Sequence, residues 1–292
     1  MLLIAAALGV VAVAVLVTTG PPGRPGSTDT NVAWPDEPLA LEWSDEFTGP
    51  AGAPPDPTRW IVETGAEWTE DEMQCYTADP ANASQDGSGN LVIRALHRPG
   101  HRCADGLVRN YTSARITTRH HAENGVLAVR ARLPTGRGTW PAIWALGSNY
   151  AEVGWPDCGE MDLVEATGED PHAVGVHIHG PGYSHADALG TTHRLKVAAS
   201  AFHVYAVRWD DERVEFSIDG RPVWGTSRDA LPAGATWALD HSFFAILNVA
   251  VGGTLAGPPD DSTTWPQKMT VDYVRFYGHS DRHGTSPAPA AP

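Results

Sequence analysis

Apolar and polar positions alternate in short runs through most of the chain. Asn90-Leu91-Val92-Ile93-Arg94-Ala95, Gly125-Val126-Leu127-Ala128-Val129-Arg130-Ala131-Arg132-Leu133, His203-Val204-Tyr205-Ala206-Val207-Arg208-Trp209 and Val214-Glu215-Phe216-Ser217-Ile218 carry period-two or β-branched patterns that predict strands. Asp219-Gly220 follows the last run and leads into Arg221-Pro222-Val223-Trp224, a hairpin signal with a residue suited to positive φ where a tight turn needs it. Met269-Thr270-Val271-Asp272-Tyr273-Val274-Arg275-Phe276-Tyr277 alternates cleanly and closes a sheet. Long amphipathic helical patterns are absent, so the pattern predicts an all-β fold, an antiparallel sandwich of two sheets.

The two ends break this pattern. Residues 2–17 are apolar without a charge, a length between a signal-peptide core and a short membrane span, and residues 1–19 are read as a signal peptide or membrane anchor. No Lys or Arg precedes the run and Ala12-Val13-Ala14 is a poor cleavage site, so both alternatives stay open. The expected location is secreted or extracellular, with anchoring through residues 2–19 as the variant. A Pro/Gly-rich linker occupies residues 20–38 and a Pro/Ala tail 279–292, leaving 39–278 as one β-sandwich domain without a repeat of fixed period.

Charge narrows the partners. Of 292 residues, 35 are acidic and 20 basic, a formal charge of −15 that repels phosphate backbones and anionic headgroups. No basic run forms a patch, so nucleic acid is excluded as a partner and the membrane enters only through the N-terminal segment. Eleven tryptophans beside 30 glycines and 24 prolines suit a turn-rich protein that handles uncharged ligands. Nothing in the pattern argues for an oligomer, and a monomer is the expectation. Three cysteines in an exported chain allow one disulfide. Cys75 and Cys103 flank a turn and a strand and are the favoured pair; Cys158, with no activating histidine evident, reads as a buried small hydrophobe.

The chemistry concentrates in Gly154-Trp155-Pro156-Asp157-Cys158-Gly159-Glu160-Met161-Asp162-Leu163-Val164-Glu165. On a strand, Glu160 and Asp162 share one face while Met161 and Leu163 point into the core. Glu165 stands an odd step away and faces wrongly unless a β-bulge between Asp162 and Glu165 restores it. Three acids on one face repel, and the sequence places no cation beside them. Such crowding keeps one carboxyl protonated near neutral pH, as the hydrolysis of a glycosidic bond by an acid and a nucleophile requires. On a straight strand Glu160 and Glu165 are roughly 13 to 16 Å apart at Cα, whereas a retaining pair needs carboxyls about 5 to 5.5 Å apart. Long side chains on a curved strand close the gap; a flat strand suggests inversion.

At these residues the sequence resembles glycoside hydrolase family 16, specifically laminarinase-like endo-β-1,3-glucanases with a bulged Glu-x-Asp-x-x-Glu motif. The match also covers Trp43-Ser44-Asp45-Glu46-Phe47, Glu72-Met73-Gln74-Cys75-Tyr76-Thr77, Tyr111-Thr112-Ser113-Ala114-Arg115, Trp140-Pro141-Ala142-Ile143-Trp144, His179-Gly180-Pro181-Gly182-Tyr183-Ser184, Phe202-His203-Val204-Tyr205, Leu247-Asn248-Val249-Ala250-Val251-Gly252-Gly253 and Val271-Asp272-Tyr273-Val274-Arg275. The resemblance implies a concanavalin A-like β-jelly-roll sandwich with a concave substrate cleft and a retaining double displacement. By position it implies that Glu160 is the nucleophile, Asp162 the residue that orients and tunes it, and Glu165 the general acid/base. It places Trp140, Trp144, Trp155, His179, Asp71 and Glu72 at substrate-binding positions, and Asp272 at a structural calcium, with no cofactor for catalysis. His177 and His179 form a His-x-His pair, also read as a zinc element. Trp43, Trp60 and Trp209 read as core residues.

Two departures bear on substrate. Glu70-Asp71-Glu72 puts an acid at Asp71 where the family commonly has a neutral amide, and Leu255 stands where the family often has an aromatic. The implied function is endo-hydrolysis of internal β-1,3 linkages in a β-glucan polysaccharide. Another β-glycan, such as a mixed-linkage glucan or a galactan, and a non-catalytic lectin-like protein are the alternatives.

Overall fold

The computed structural model describes residues 39–66 and 70–279. The expected signal or anchor, the linker, and the tail from residue 280 onward lie outside the described residues. Among the described residues, no helix is long and apolar enough to cross a membrane.

The strands form two sheets. The larger carries, edge to edge, Arg221–Ser227, Arg213–Ile218, His203–Trp209, Gly125–Arg132, Gln267–His279, Leu91–Arg102, Val108–Ser113 and Gln74–Tyr76. Leu39–Asp45 pairs beside Gln267–His279, and Ala83–Gln85 beside Leu91–Arg102. The smaller sheet carries Leu189–Arg194, Ala173–His179, Glu160–Glu165, Thr139–Gly147, Phe243–Val251, Arg115–Thr118 and Trp60–Glu63. Pairing is antiparallel apart from Gln74–Tyr76, which runs parallel to Val108–Ser113.

The period-two patterns decide which faces meet. Leu127, Val129 and Ala131 of the larger sheet pack in one buried cluster with Ile143, Ala145, Met161, Leu163, Leu247 and Val249 of the smaller. Removing each large aliphatic from water contributes about 1.5–3 kcal/mol, so a register slip that turned these residues outward is strongly disfavoured. The alternate residues of the smaller sheet, among them Trp144, Asn248 and the strand acids, are thereby committed to its outer face.

Each alternating run falls on one strand, with only the terminal Asn90 and Leu133 outside it. The strand that begins at Leu91 continues to Arg102, beyond its apolar run, because it pairs with Val108–Ser113 in an exposed hairpin. Asp219 and Gly220 have φ values of 52° and 71°, the pair of positive angles a two-residue hairpin turn needs. Asp219 tolerates this because its carboxylate accepts the Val204 N–H at 2.9 Å. Trp60 and Trp209 are core residues, as expected. Trp43 packs against the same core but is only partly buried, its ring edge-on to Trp60 and Phe276, parallel to His120 at 5.7 Å and 5.6 Å from the Arg59 guanidinium. It belongs to Leu39–Asp45, which pairs beside the sheet's main path.

Cys75 and Cys103 are disulfide-bonded, tying the Gln74–Tyr76 strand to the turn after Leu91–Arg102. Cys158 is free and buried, and burial pushes its thiol up to about 11, which keeps it protonated and unreactive.

Candidate active site

The strand Glu160–Glu165 lies between Thr139–Gly147 and Ala173–His179. Asp162 faces Trp144 on one side and His177 on the other, while Glu165 faces Ala142 and Gly175. Leu163 and Val164 together span the single position left on each neighbour, which is the β-bulge the acid spacing demanded. Both are buried. The extra residue is absorbed inside the sandwich, and Glu165 returns to the face of Glu160 and Asp162.

Each acid meets a neighbour supplied by the register. The Trp155 indole N–H donates to Glu160 Oε2 at 2.7 Å. His179 Nε2 lies 3.2 Å from Asp162 Oδ2, and His177 Nδ1 lies 3.1 Å from Glu165 Oε2. Glu160 pairs across the strand with His179 and Asp162 with His177, so each histidine reaches diagonally along the face or back toward the bulge. Asp162 is 2% exposed. Burial, followed by the Glu165 charge, holds its carboxyl well above the usual carboxylate range. Burial and the Asp162 charge raise Glu160 likewise.

Next to the acids lies a second polar group that the sequence alone did not assemble. Trp144 donates its indole N–H to Asn248 Oδ1 at 2.8 Å, and Asn248 Nδ2 donates to the Tyr76 hydroxyl at 3.0 Å. The Arg115 guanidinium sits 4.8 Å above the Trp144 ring and pairs with Glu63 at 3.1 Å. Gln74 donates to Glu72 and accepts the Val251 N–H at 2.7 Å. Burial raises the Glu72 carboxyl. Glu63, Tyr76, Arg115 and Asn248 were missed as functional residues because they come from four separated strands. No local pattern links them: only Asn248 lies on a strand beside Thr139–Gly147, and Tyr76 comes from the larger sheet.

The predicted positions divide accordingly. Glu160, Asp162, Glu165, Trp155 and His179 form one contiguous group, and Trp144 and Glu72 join the second. Trp140 packs at the far end of its strand, where a Cβ added at Gly253 would meet its ring at 2.8 Å. Asp71 is exposed, and Leu255 is 48% exposed. A cavity of about 270 Å³ lined by Cys75, Tyr76, Asp79, Asn82, Arg98 and His101, among others, includes none of the three strand acids.

The metal expectations fare differently. Asp272 accepts a hydrogen bond from Arg130 Nη1 at 2.5 Å. The carboxylate expected at a calcium ion is thus paired with a guanidinium of the neighbouring strand. Among the described residues, the groups of three side chains able to hold a metal are Glu160, Asp162, His179 and Asp162, Glu165, His177, which are the strand acids and their histidines themselves.

The sequence profile of glycosyl hydrolases family 16 matches residues 69–275. A beta-glucanase of Rhodothermus marinus is 38% identical over 251 residues, covering 81% of this chain and 84% of that protein. A glucan endo-1,3-beta-glucosidase of Cryptopygus antarcticus is 34% identical over 80% of this chain and 90% of its own. The laminarinase catalytic domain of Thermotoga maritima superposes with a TM-score of 0.77 at 40% identity, covering 82% of this chain and 98% of that one.

Proposed function

The chain belongs to glycosyl hydrolases family 16, and from that premise we propose that it cleaves internal β-1,3 linkages of a β-glucan by retaining double displacement. The observation that carries this reading is the bulge: it puts Glu160, Asp162 and Glu165 in one row while leaving their apolar neighbours in the core. The endo-1,3-β-glucanase names of its relatives support the substrate class. The uncharged segment 2–17 supports export to where such polymers occur.

Burial assigns the protons. Charge costs most at Asp162, the least exposed acid, so of the two neighbouring carboxyls Asp162 keeps its proton. With its neighbour neutral and the Trp155 N–H on its other side, Glu160 bears the negative charge. Glu160 attacks the anomeric carbon while Glu165 passes its proton to the departing glycosidic oxygen. A glycosyl ester on Glu160 results. Glu165 then takes a proton from water, which attacks the same carbon, frees Glu160 and restores the configuration. Trp144 and Trp155 offer flat apolar faces to pyranose rings, and Arg115, Asn248 and Glu72 offer hydroxyl partners.

Reducing-sugar release from laminarin, lichenan, agarose and xyloglucan, with Glu160→Gln alongside, tests the reading. Release from laminarin that disappears in the variant is expected. Release confined to another polymer replaces the substrate, and binding without release from any polymer replaces the enzyme with a glycan-binding protein.

A further inference from the structure

The strands Ala173–His179 and Phe243–Val251 run antiparallel with two strands between them, so their C-terminal ends lie at opposite ends of the smaller sheet along the strand direction. The segment after Val251 carries Gly253 and Thr254; the segment after His179 carries His185. Glu70 is fixed to the first, its carbonyl accepting the Thr254 N–H at 2.9 Å and its carboxylate the Thr254 hydroxyl at 2.6 Å. His185 is fixed to the second, with its ring edge-on to Trp155 at 4.5 Å. Yet His185 Nδ1 lies 3.9 Å from Glu70 Oε1. Two walls anchored at opposite strand ends therefore meet above the outer face, between Trp140 under Gly253 and Trp155 beside Glu160.

Both residues hold left-handed backbone, with φ of 65° at Glu70 and 51° at His185. An L-residue other than Gly, Asn or Asp adopts this at a cost, so the neighbouring contacts must hold each in place. Neither side chain is buried enough for its apolar packing to account for that conformation.

Resting on the reading of this face as a β-1,3-glucan cleft, we propose that Glu70 and His185 form a bridge across it that selects unbranched β-1,3-glucan. A linear chain leaves O6 of each ring free and can lie beneath the bridge. A glucosyl substituent on O6 of a ring in that stretch projects into the space the two side chains occupy. Recognition here works by excluding the wrong polymer rather than by adding a contact to the right one.

The test compares kcat/KM on a linear β-1,3-glucan with that on a β-1,3-glucan bearing single-glucose 1,6-branches, for the unaltered protein and for His185→Ala. The unaltered protein is expected to prefer the linear polymer, and His185→Ala to raise the branched-to-linear ratio by roughly five-fold or more. Glu70→Ala reads the same ratio if His185→Ala fails to fold. An unchanged ratio overturns the bridge, including the case where disturbance of Trp155 lowers both rates together. No hydrolysis of either polymer by the unaltered protein overturns the underlying substrate reading instead.

Discussion

Trp155 gives its indole N–H to Glu160 at 2.7 Å and turns its ring toward His185 at 4.5 Å, so one side chain joins the nucleophile to the rim of the cleft. A hydrogen bond to a charged acceptor contributes about 1.5–3 kcal/mol. Trp155→Phe keeps a ring but loses the donor, and is expected to lower kcat/KM by roughly 10- to 100-fold. Because the donor favours the charged form of Glu160, its loss also moves the acidic limb of the pH–rate profile upward. A limb that stays in place or moves down contradicts the role given to Trp155.

Asp162 makes a stability prediction with a definite sign. Its folded-state carboxyl titrates well above the unfolded value of 3.8. Between those two values the native state binds more protons than the unfolded one, so this residue's contribution falls as pH rises through that window, by up to about 1.4 kcal/mol per pH unit. Asp162→Asn removes the loss. Denaturation midpoints of the variant should gain on those of the unaltered protein from about pH 4 upward, while turnover drops. Parallel midpoints across that range are the contrary result.

Asn248 holds Trp144 from one side and Tyr76 from the other. With Ala at this position the indole loses its partner but the strand acids keep theirs. The expected change is a several-fold rise in KM with a smaller change in kcat, since the contact orients a sugar platform. A fall confined to kcat would move Asn248 from platform to chemistry.

The disulfide closes a loop of 28 residues between Cys75 and Cys103. Loop-closure entropy of that size corresponds to about 3.6 kcal/mol, so Cys103→Ser should unfold at clearly lower denaturant concentration. The strand that carries Gln74 and Tyr76 is the part it releases, and KM should rise with the loss. An unchanged midpoint would show that packing alone holds that strand.

The reach of sequence reasoning follows sequence distance. The bulge was legible because Glu160, Asp162 and Glu165 stand within six residues, and their parity allows one face only if a residue is inserted. The cleft companions were not, because Arg115 reaches Trp144 only through the register of Arg115–Thr118 against Phe243–Val251 and of that strand against Thr139–Gly147. No local period encodes those pairings. Trp43 meets the same limit: how far it is buried depends on His120 and Arg59, which pack on its ring from outside its own run.

The account depends most on Glu160 attacking the anomeric carbon. Proton NMR of the first products released from a laminari-oligosaccharide reads this directly, before mutarotation mixes the anomers. Double displacement predicts the β-anomer appearing first and the α-anomer growing in later. An α-anomer formed first means that a single displacement by water is at work, and that Glu160 is not the nucleophile.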